Sequence, residues 1–254
     1  MIDEGALTLF LLITARMSGF VGFSPLLGRQ NIPTMFKTGF TLILSAFTYS
    51  VIGGRVEPPA GVLPLAAAIL LEVAVGLILG MIVHFFFYIP QLAGLAIDTQ
   101  MGMTMNQIYD AGSHSNMSVS GTLINTLMTL LFFAAGGHHT LLRIMITSGE
   151  IVSYGGVSLG NGVSNLALEL FIECTVLAVK MCLPVLAAEL IGQLGMGVLM
   201  KVIPQINVFS INIELKVLIG LFLMMMLMLP FSEYLLEVEQ TMLASLHDML
   251  MLMA

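Results

Sequence analysis

Few side chains in this sequence could do chemistry, and they fall into three groups. A polar, glycine-bearing segment runs from Gln100 to Met117 and holds Asn106, Gln107, Ile108, Tyr109, Asp110, Gly112, Ser113, His114, Asn116 and Met117. Charges stand within or beside apolar runs at Arg16, Glu72, Asp98, Glu169, Glu173 and Lys180. Soft or metal-capable groups occur as Met101, Met103 and Met105, the pair His138-His139, and Cys174 with Cys182. The groups suggest, in turn, a loop that acts on something passing through, a set of buried ion pairs, and a metal or thiol centre.

The third suggestion is the weakest. Adjacent histidines point in different directions on a helix, and no carboxylate motif accompanies His138-His139, which reads as a polar pair at a helix boundary. Cys174 and Cys182 lie in one apolar stretch, about 12 Å apart along a helix. That is too far for a disulfide, so they read as buried free thiols. No nucleophile elbow, phosphate loop, dinucleotide fingerprint or zinc-protease motif occurs. The sequence carries no catalytic constellation and implies no cofactor.

The elements that must position these residues are membrane helices. The 254-residue chain is 58% hydrophobic and 9% charged, where a soluble domain carries about a quarter charged residues. The net charge of −7 argues against nucleic-acid binding, which needs a basic patch. The N-terminus reads Met1-Ile-Asp-Glu4, with no positive region ahead of an apolar run, so no cleavable signal peptide is expected. Six apolar stretches stand out, at about 6–23, 35–52, 62–88, 123–135, 166–200 and 217–230, separated by proline and glycine clusters. The expected fold is all-α, a single domain over 1–254, with no sheet.

Several stretches fit poorly as lipid-facing spans. Arg16 sits near the middle of the first, and a central Arg costs roughly 2.5–3.5 kcal/mol against about 0.3–0.6 returned by each large aliphatic or Phe. The fifth contains Glu169, Glu173, Lys180 and Glu189. At 100° per residue the first three fall within about 40° of one another and Glu189 lies opposite. Such a helix faces protein or water, and the buried or interfacial charges need partners. Glu72 lies one turn before the Gly76-x-x-x-Gly80 pair, a spacing that permits close helix approach. The C-terminal piece 231–254 is amphipathic, with Leu235, Leu236, Val238, Met242, Leu246, Met249 and Met253 on one side and Glu233, Glu237, Glu239 and Asp248 on the other. Its acidic polar side suits packing against protein better than lying on lipid.

The polar segment is the informative departure. Val73–Ile97 before it and Ala111–Leu142, beginning inside it, contain no Asp, Glu, Lys or Arg. Hydrophobic spans are ordinarily joined by short turns, so a flexible loop here suggests a protected position. Met is unbranched and soft, so Met101, Met103 and Met105 would suit a seal around a variable shape; gap-filling in a helical core explains them equally simply.

Three segments together resemble the FliR family of flagellar-biosynthesis proteins, which is related to the matching subunit of virulence type III secretion. They are Arg16 with Pro25-Leu26 and Pro33; Gly94 to Met117, with Asp98-x-Gln100-Met-Gly102 and Asp110-Ala-Gly-Ser-His-Ser-Asn-Met117, closing on Gly136-Gly137-His138; and Pro204-Gln205-Ile-Asn207-Val-Phe209 followed by Lys216. The resemblance covers essentially the whole chain. It implies a non-enzymatic subunit of a protein-export gate in the bacterial inner membrane, at the flagellar basal body. Its partners would be FliP- and FliQ-type subunits, an FlhB-type protein, membrane lipid and unfolded flagellar export substrates. It implies bent helical hairpins, with the loop at about 106–121 as a plug. The family commonly has proline at the position of Ala111 and often at that of Ser118, so the loop here is expected to be looser. Two other readings remain open on sequence alone: a virulence secretion subunit, and a stand-alone transporter with a broken-helix site near Gly94–Gly112.

Overall fold

The apolar stripes and breaker clusters translate into eight helices in a computed structural model, which describes residues 4–28, 32–56, 61–103, 108–110, 115–202 and 208–254. They are α1 (Glu4–Phe23), α2 (Thr34–Ile52), α3 (Val62–Met101), α4 (Val119–Ala134), α5 (Gly137–Ile151), α6 (Asn161–Val202), α7 (Val208–Met226) and α8 (Met228–Met253). Among the described residues, four helices are long and apolar enough to cross a membrane, or up to six if each of two broken pairs counts as one span. The all-α, polytopic expectation therefore holds. One short antiparallel pair of strands stands between α3 and α4. β1 (Ile108–Asp110) and β2 (Ser115–Met117) pair antiparallel, with Ile108 opposite Met117 and Asp110 opposite Ser115. Backbone groups between two apolar helices need partners, and a short ladder supplies them where the composition suggested an irregular loop.

Three helix boundaries also differ from the stretches read in the sequence. α3 runs on through Pro90 to Met101, because the apolar residues that continue beyond Tyr88 outweigh the one backbone bond that proline removes. α5 lies in a segment where no apolar stretch stood out, because His138, His139, Arg143 and Glu150 dilute its hydropathy. α8 begins before Pro230; a proline in the first turn removes an N–H that has no helical partner anyway. α7 and α8 meet at a 60° bend.

The chain groups into two compact units drawn from interleaved segments. The first comprises 1–86, 136–171 and 240–254. Its α1 buries Leu9, Leu12, Ile13, Met17 and Phe20, one stripe at i, i+3, i+4 spacing. Arg16 falls in the same stripe. α2 packs on α1 with Phe10 edge-on to Tyr49 at 6.1 Å. It turns Thr41, Leu44, Ser45 and Thr48 inward and leaves Met35, Ile43 and Phe47 exposed. α1 and α3 approach closely at Gly76, where a Cβ would overlap the carbonyl oxygen of Arg16 and stand 2.7 Å from the Phe20 nitrogen. The Gly76-x-x-x-Gly80 spacing thus marks a real crossing.

The second unit comprises 87–135 and 172–239, and contains the hairpin, α4, most of α6 and α7. The apolar side of α8 is buried at Leu235, Val238, Met242, Leu246, Met249 and Met253, so this helix packs within its own chain. Glu239, expected on the polar side, is instead buried, while Glu233, Glu237 and Asp248 stay exposed. Cys174 and Cys182 are buried free thiols.

Candidate functional site

The loop between α3 and α4 is held at its roots by the second unit. Its exit is capped twice. Ser118 is the N-cap of α4, and its hydroxyl accepts from the Gly121 N–H at 3.0 Å. Asp98, from the last turns of α3, accepts from the Ser120 N–H at 3.2 Å and from the Ser120 hydroxyl. A carboxylate at a helix N-terminus satisfies an otherwise orphaned donor and complements the helix dipole, for about 0.3–1 kcal/mol at the surface and up to about 2 when partly buried. Asp98 is 1% exposed, which places it at the upper end. Ser118, where the family often has proline by the resemblance, makes one side-chain bond as this cap.

Glycines let the two helices come close enough for this. Gln91, Gly94 and Asp98 recur at i, i+3 and i+7 on α3. A Cβ on Gly94 would overlap the Gly121 backbone nitrogen. Backbone contact at that point brings the Asp98 carboxylate to the first turn of α4.

The entry to the loop is held differently. Met101, the last residue of α3, is fully buried and lies over Gly220 of α7, at the position a Cβ would occupy. Met103 is half-buried. Met101 is therefore a core contact at the foot of the loop. Met105 and the loop residues Asn106, Gln107, Gly112, Ser113 and His114 lie outside the described residues. Ile108, Tyr109 and Asp110 stand on β1, and Asn116 and Met117 on β2.

The charges separate into two kinds. In the first unit Arg16 and Glu72 are both fully buried and pair, with Arg16 Nε donating to Glu72 Oε2 at 2.6 Å. The guanidinium also donates to Ser148 Oγ at 3.2 Å and to the Val152 carbonyl at 3.1 Å. It lies 4.2 Å from the centre of the Tyr154 ring. The other Glu72 oxygen accepts from the Gly155 N–H at 2.9 Å. One ion pair thereby ties α1 and α3 to α5 and the turn after it. Burial in this cluster holds the Tyr154 phenol above its usual range, the nearby guanidinium opposing that shift.

The charges of α6 behave oppositely. Glu169, Glu173 and Lys180 are exposed on this chain, as their shared phase on the helix requires, and no partner within the chain meets them among the described residues. Glu189, half a turn away in phase, is 1% exposed. Of the expected buried or interfacial group, Arg16, Glu72 and Asp98 are thus buried with partners inside the chain. The α6 trio is free to meet another molecule. His138 and His139 open α5, and no cluster of three metal-capable side chains occurs among the described residues.

The anchored loop, the buried pair and the apolar helices share one chain with a marked family signature. A profile described as "Bacterial export proteins, family 1" matches residues 7–242. The chain belongs to this family of bacterial export proteins. Among its relatives, the flagellar biosynthetic protein FliR of Bacillus subtilis (strain 168) is 28% identical, over 86% of this chain and 85% of the relative. The FliR of Escherichia coli (strain K12) is 27% identical over 90% and 88%. The Yop proteins translocation protein T of Yersinia pestis is 24% identical over 85% and 84%. The family match spans α1 through most of α8, so the loop and both of its roots belong to the export-protein fold. Pro204, Gln205 and Asn207 of the third segment lie outside the described residues, and Phe209 opens α7.

Sequence reasoning missed several residues of these sites. Ser120, Gly121, Ser148, Tyr154, Gly155 and Gly220 carry no motif of their own. The S-x-S-G run at Ser118–Gly121 was a capping signal. The Gly94 spacing to Asp98 repeats the one-turn relation of Glu72 to Gly76, a pairing of glycine contact with nearby carboxylate that the sequence did display.

Proposed function

We propose that the chain is a non-enzymatic subunit of a flagellar type III protein-export gate in the bacterial inner membrane, at the flagellar basal body. In this reading it assembles with FliP- and FliQ-type subunits, contacts an FlhB-type protein and lines the path of unfolded flagellar proteins. The loop at 106–121 closes that path in the resting state and moves aside during export. The observation that carries the loop's role is its anchorage. A polar segment between two apolar helices is fixed at its exit by Asp98 and Ser118 and at its entry by Met101. Fixed roots are what a closing element requires.

The exposed surfaces support a subunit rather than a solitary protein. α6 exposes Ile172, Val176, Val179 and Leu183 beside the charged positions Glu173 and Lys180. Lipid would accept the apolar residues but not the charges. A neighbouring helix with complementary charge accepts both. The virulence relative makes a virulence secretion subunit the second reading, and the partners recovered decide between them.

The test is gentle detergent extraction of a tagged chain at native expression, followed by mass spectrometry of what co-purifies. Stoichiometric recovery of FliP- and FliQ-type proteins is expected. Recovery of this chain alone, under conditions where other membrane complexes survive, would overturn the subunit reading and favour a stand-alone transporter.

A further inference from the structure

In the first unit α1 and α3 run parallel and in step. Gly19 lies against Val73 and Leu77, Gly76 against Arg16 and Phe20, and Gly80 against Phe20 and Phe23. The first residues of the two helices, Glu4 and Val62, therefore stand near one level. α1 has 20 residues, about 30 Å of helix, which matches the hydrocarbon core of a bilayer. Its midpoint falls between Ile13 and Thr14, and Arg16 is less than one turn away.

The connection from α5 to α6 is held at that level. Arg16 donates to the Val152 carbonyl, and Glu72 accepts from the Gly155 N–H. A Cβ on Gly155 would stand 3.7 Å from the Leu12 side chain. α5 has 15 residues, about 22 Å of helix, too short to cross the core. The chain thus leaves α5 near the mid-depth of α1 and runs without helix from Val152 to Gly160. On its outer side Ser153, Gly155, Gly156, Ser158 and Gly160 are exposed. Leu159 is the one large apolar side chain exposed with them among the described residues.

Lipid does not suit this surface, because irregular backbone at membrane depth occurs only where protein buries it or where it lines a water-filled cavity. A neighbouring protein suits it poorly, because the cores of interfaces are rich in aromatic residues, Met and Arg and poor in Ser. At the same level the other helices present large apolar groups: Leu70, two residues before Glu72, is 69% exposed, and Phe47, two before the Tyr49 that meets Phe10, is 55% exposed. One side of the unit at mid-depth is therefore apolar and the other is bare backbone with small hydroxyls.

We propose that the α5–α6 connection lines a water-filled recess that reaches the mid-depth of the membrane. This rests on the reading of the chain as a membrane subunit of an export gate, and it deepens that reading by giving the export path a wall. No Asp, Glu, Lys or Arg occurs from Val152 to Leu168, so the wall offers small uncharged groups that favour no particular side chain of an unfolded protein. The Arg16–Glu72 pair is the anchor that holds the wall at this depth.

The test is thiol accessibility in the full chain, at native expression, in inner-membrane vesicles of both orientations. Ser153→Cys, Ser158→Cys, Phe47→Cys and Leu70→Cys are made singly and exposed to a charged, membrane-impermeant maleimide. The label is located by peptide mass spectrometry, which sets Cys174 and Cys182 apart. Residues 153 and 158 should label more than about tenfold faster than 47 and 70, because the reactive thiolate does not form in hydrocarbon. Equal slow labelling at all four positions would mean that lipid or protein covers the connection, and would overturn the recess. Equal fast labelling would place the whole level in water and overturn it as well. The same vesicles are then extracted and the co-purifying proteins identified. Fast labelling at 153 and 158 without other subunits would leave the recess standing and overturn the subunit reading. Slow labelling with the other subunits present would do the reverse.

Discussion

Removing Glu72 should be one of the most damaging single changes in the first unit. Glu72→Ala deletes the acceptor of the 2.6 Å bond from Arg16 and that of the 2.9 Å bond from the Gly155 N–H. Arg16 stays fully buried with its charge opposed only by neutral groups: Ser148, the Val152 carbonyl and the Tyr154 ring. Breaking a buried pair from one side costs about 3–5 kcal/mol. The orphaned N–H adds about 1–3 kcal/mol. The surviving cation–π contact, worth up to about 2 kcal/mol when desolvated, is already present and offsets none of the loss. The net is about 4–8 kcal/mol. At about 2–4 °C per kcal/mol for a chain of this size, the detergent-extracted protein should lose roughly 8–32 °C, read as the temperature at which its size-exclusion peak halves. Arg16→Met should cost a similar amount, by stranding the carboxylate. The double variant Arg16→Met with Glu72→Met buries no charge and leaves mainly the Gly155 N–H unpaired, so it should be more stable than either single variant. Strictly additive losses, or a Glu72→Ala protein that melts within 2 °C of the parent, as an uncoupled surface pair would, would refute this reasoning.

Other perturbations follow from the same geometry. Gly76→Leu must separate α1 from α3, because even a Cβ overlaps the Arg16 carbonyl; the extracted protein should fail to give a monodisperse peak, whereas Gly22→Ala, with open space at its Cβ, should not change it. Asp98→Ala should cost about 1–2 kcal/mol from the loss of the capping carboxylate and raise proteolytic cutting in the loop, and Asp98→Asn should retain much of the protection; equal cutting in all three proteins would remove Asp98 from the account. Glu173→Lys should leave the melting temperature of the isolated chain within about 1 °C, since exposed charges contribute little, yet lower the yield of co-purifying subunits; unchanged yield would mean that this face of α6 meets water.

Much of this architecture was legible in the sequence, for identifiable reasons. Arg16 was a poor fit to lipid, and it is buried in protein. The one-turn spacing of Glu72 and Gly76 pointed to a close helix crossing with a carboxylate in need of a partner, and both are present. The phase of the α6 charges separated Glu189 from Glu169, Glu173 and Lys180, and burial follows that split. What stayed hidden depends on contacts far apart in sequence. That Glu72 would pair with Arg16, and that Ser148 and Gly155 would complete the cluster, is fixed by tertiary packing and by no local pattern. The seat of Met101 against Gly220 is invisible for the same reason: a lone glycine in an apolar helix has many ordinary explanations. α5 was missed because polar residues spread along it, from His138 to Glu150, masked a helix that needs only one buried face, and the hairpin because the ladder pairs segments without alternating hydropathy.

The central claim, that the loop closes a conducting path, is tested most directly by ion conductance of inner-membrane vesicles containing the assembled complex, with and without deletion of Ala111–Ser118. The account predicts a tight membrane for the intact chain and a leak of small ions for the deletion, at equal amounts of assembled complex. A deletion complex that assembles normally and leaves the membrane as tight as the parent would contradict it.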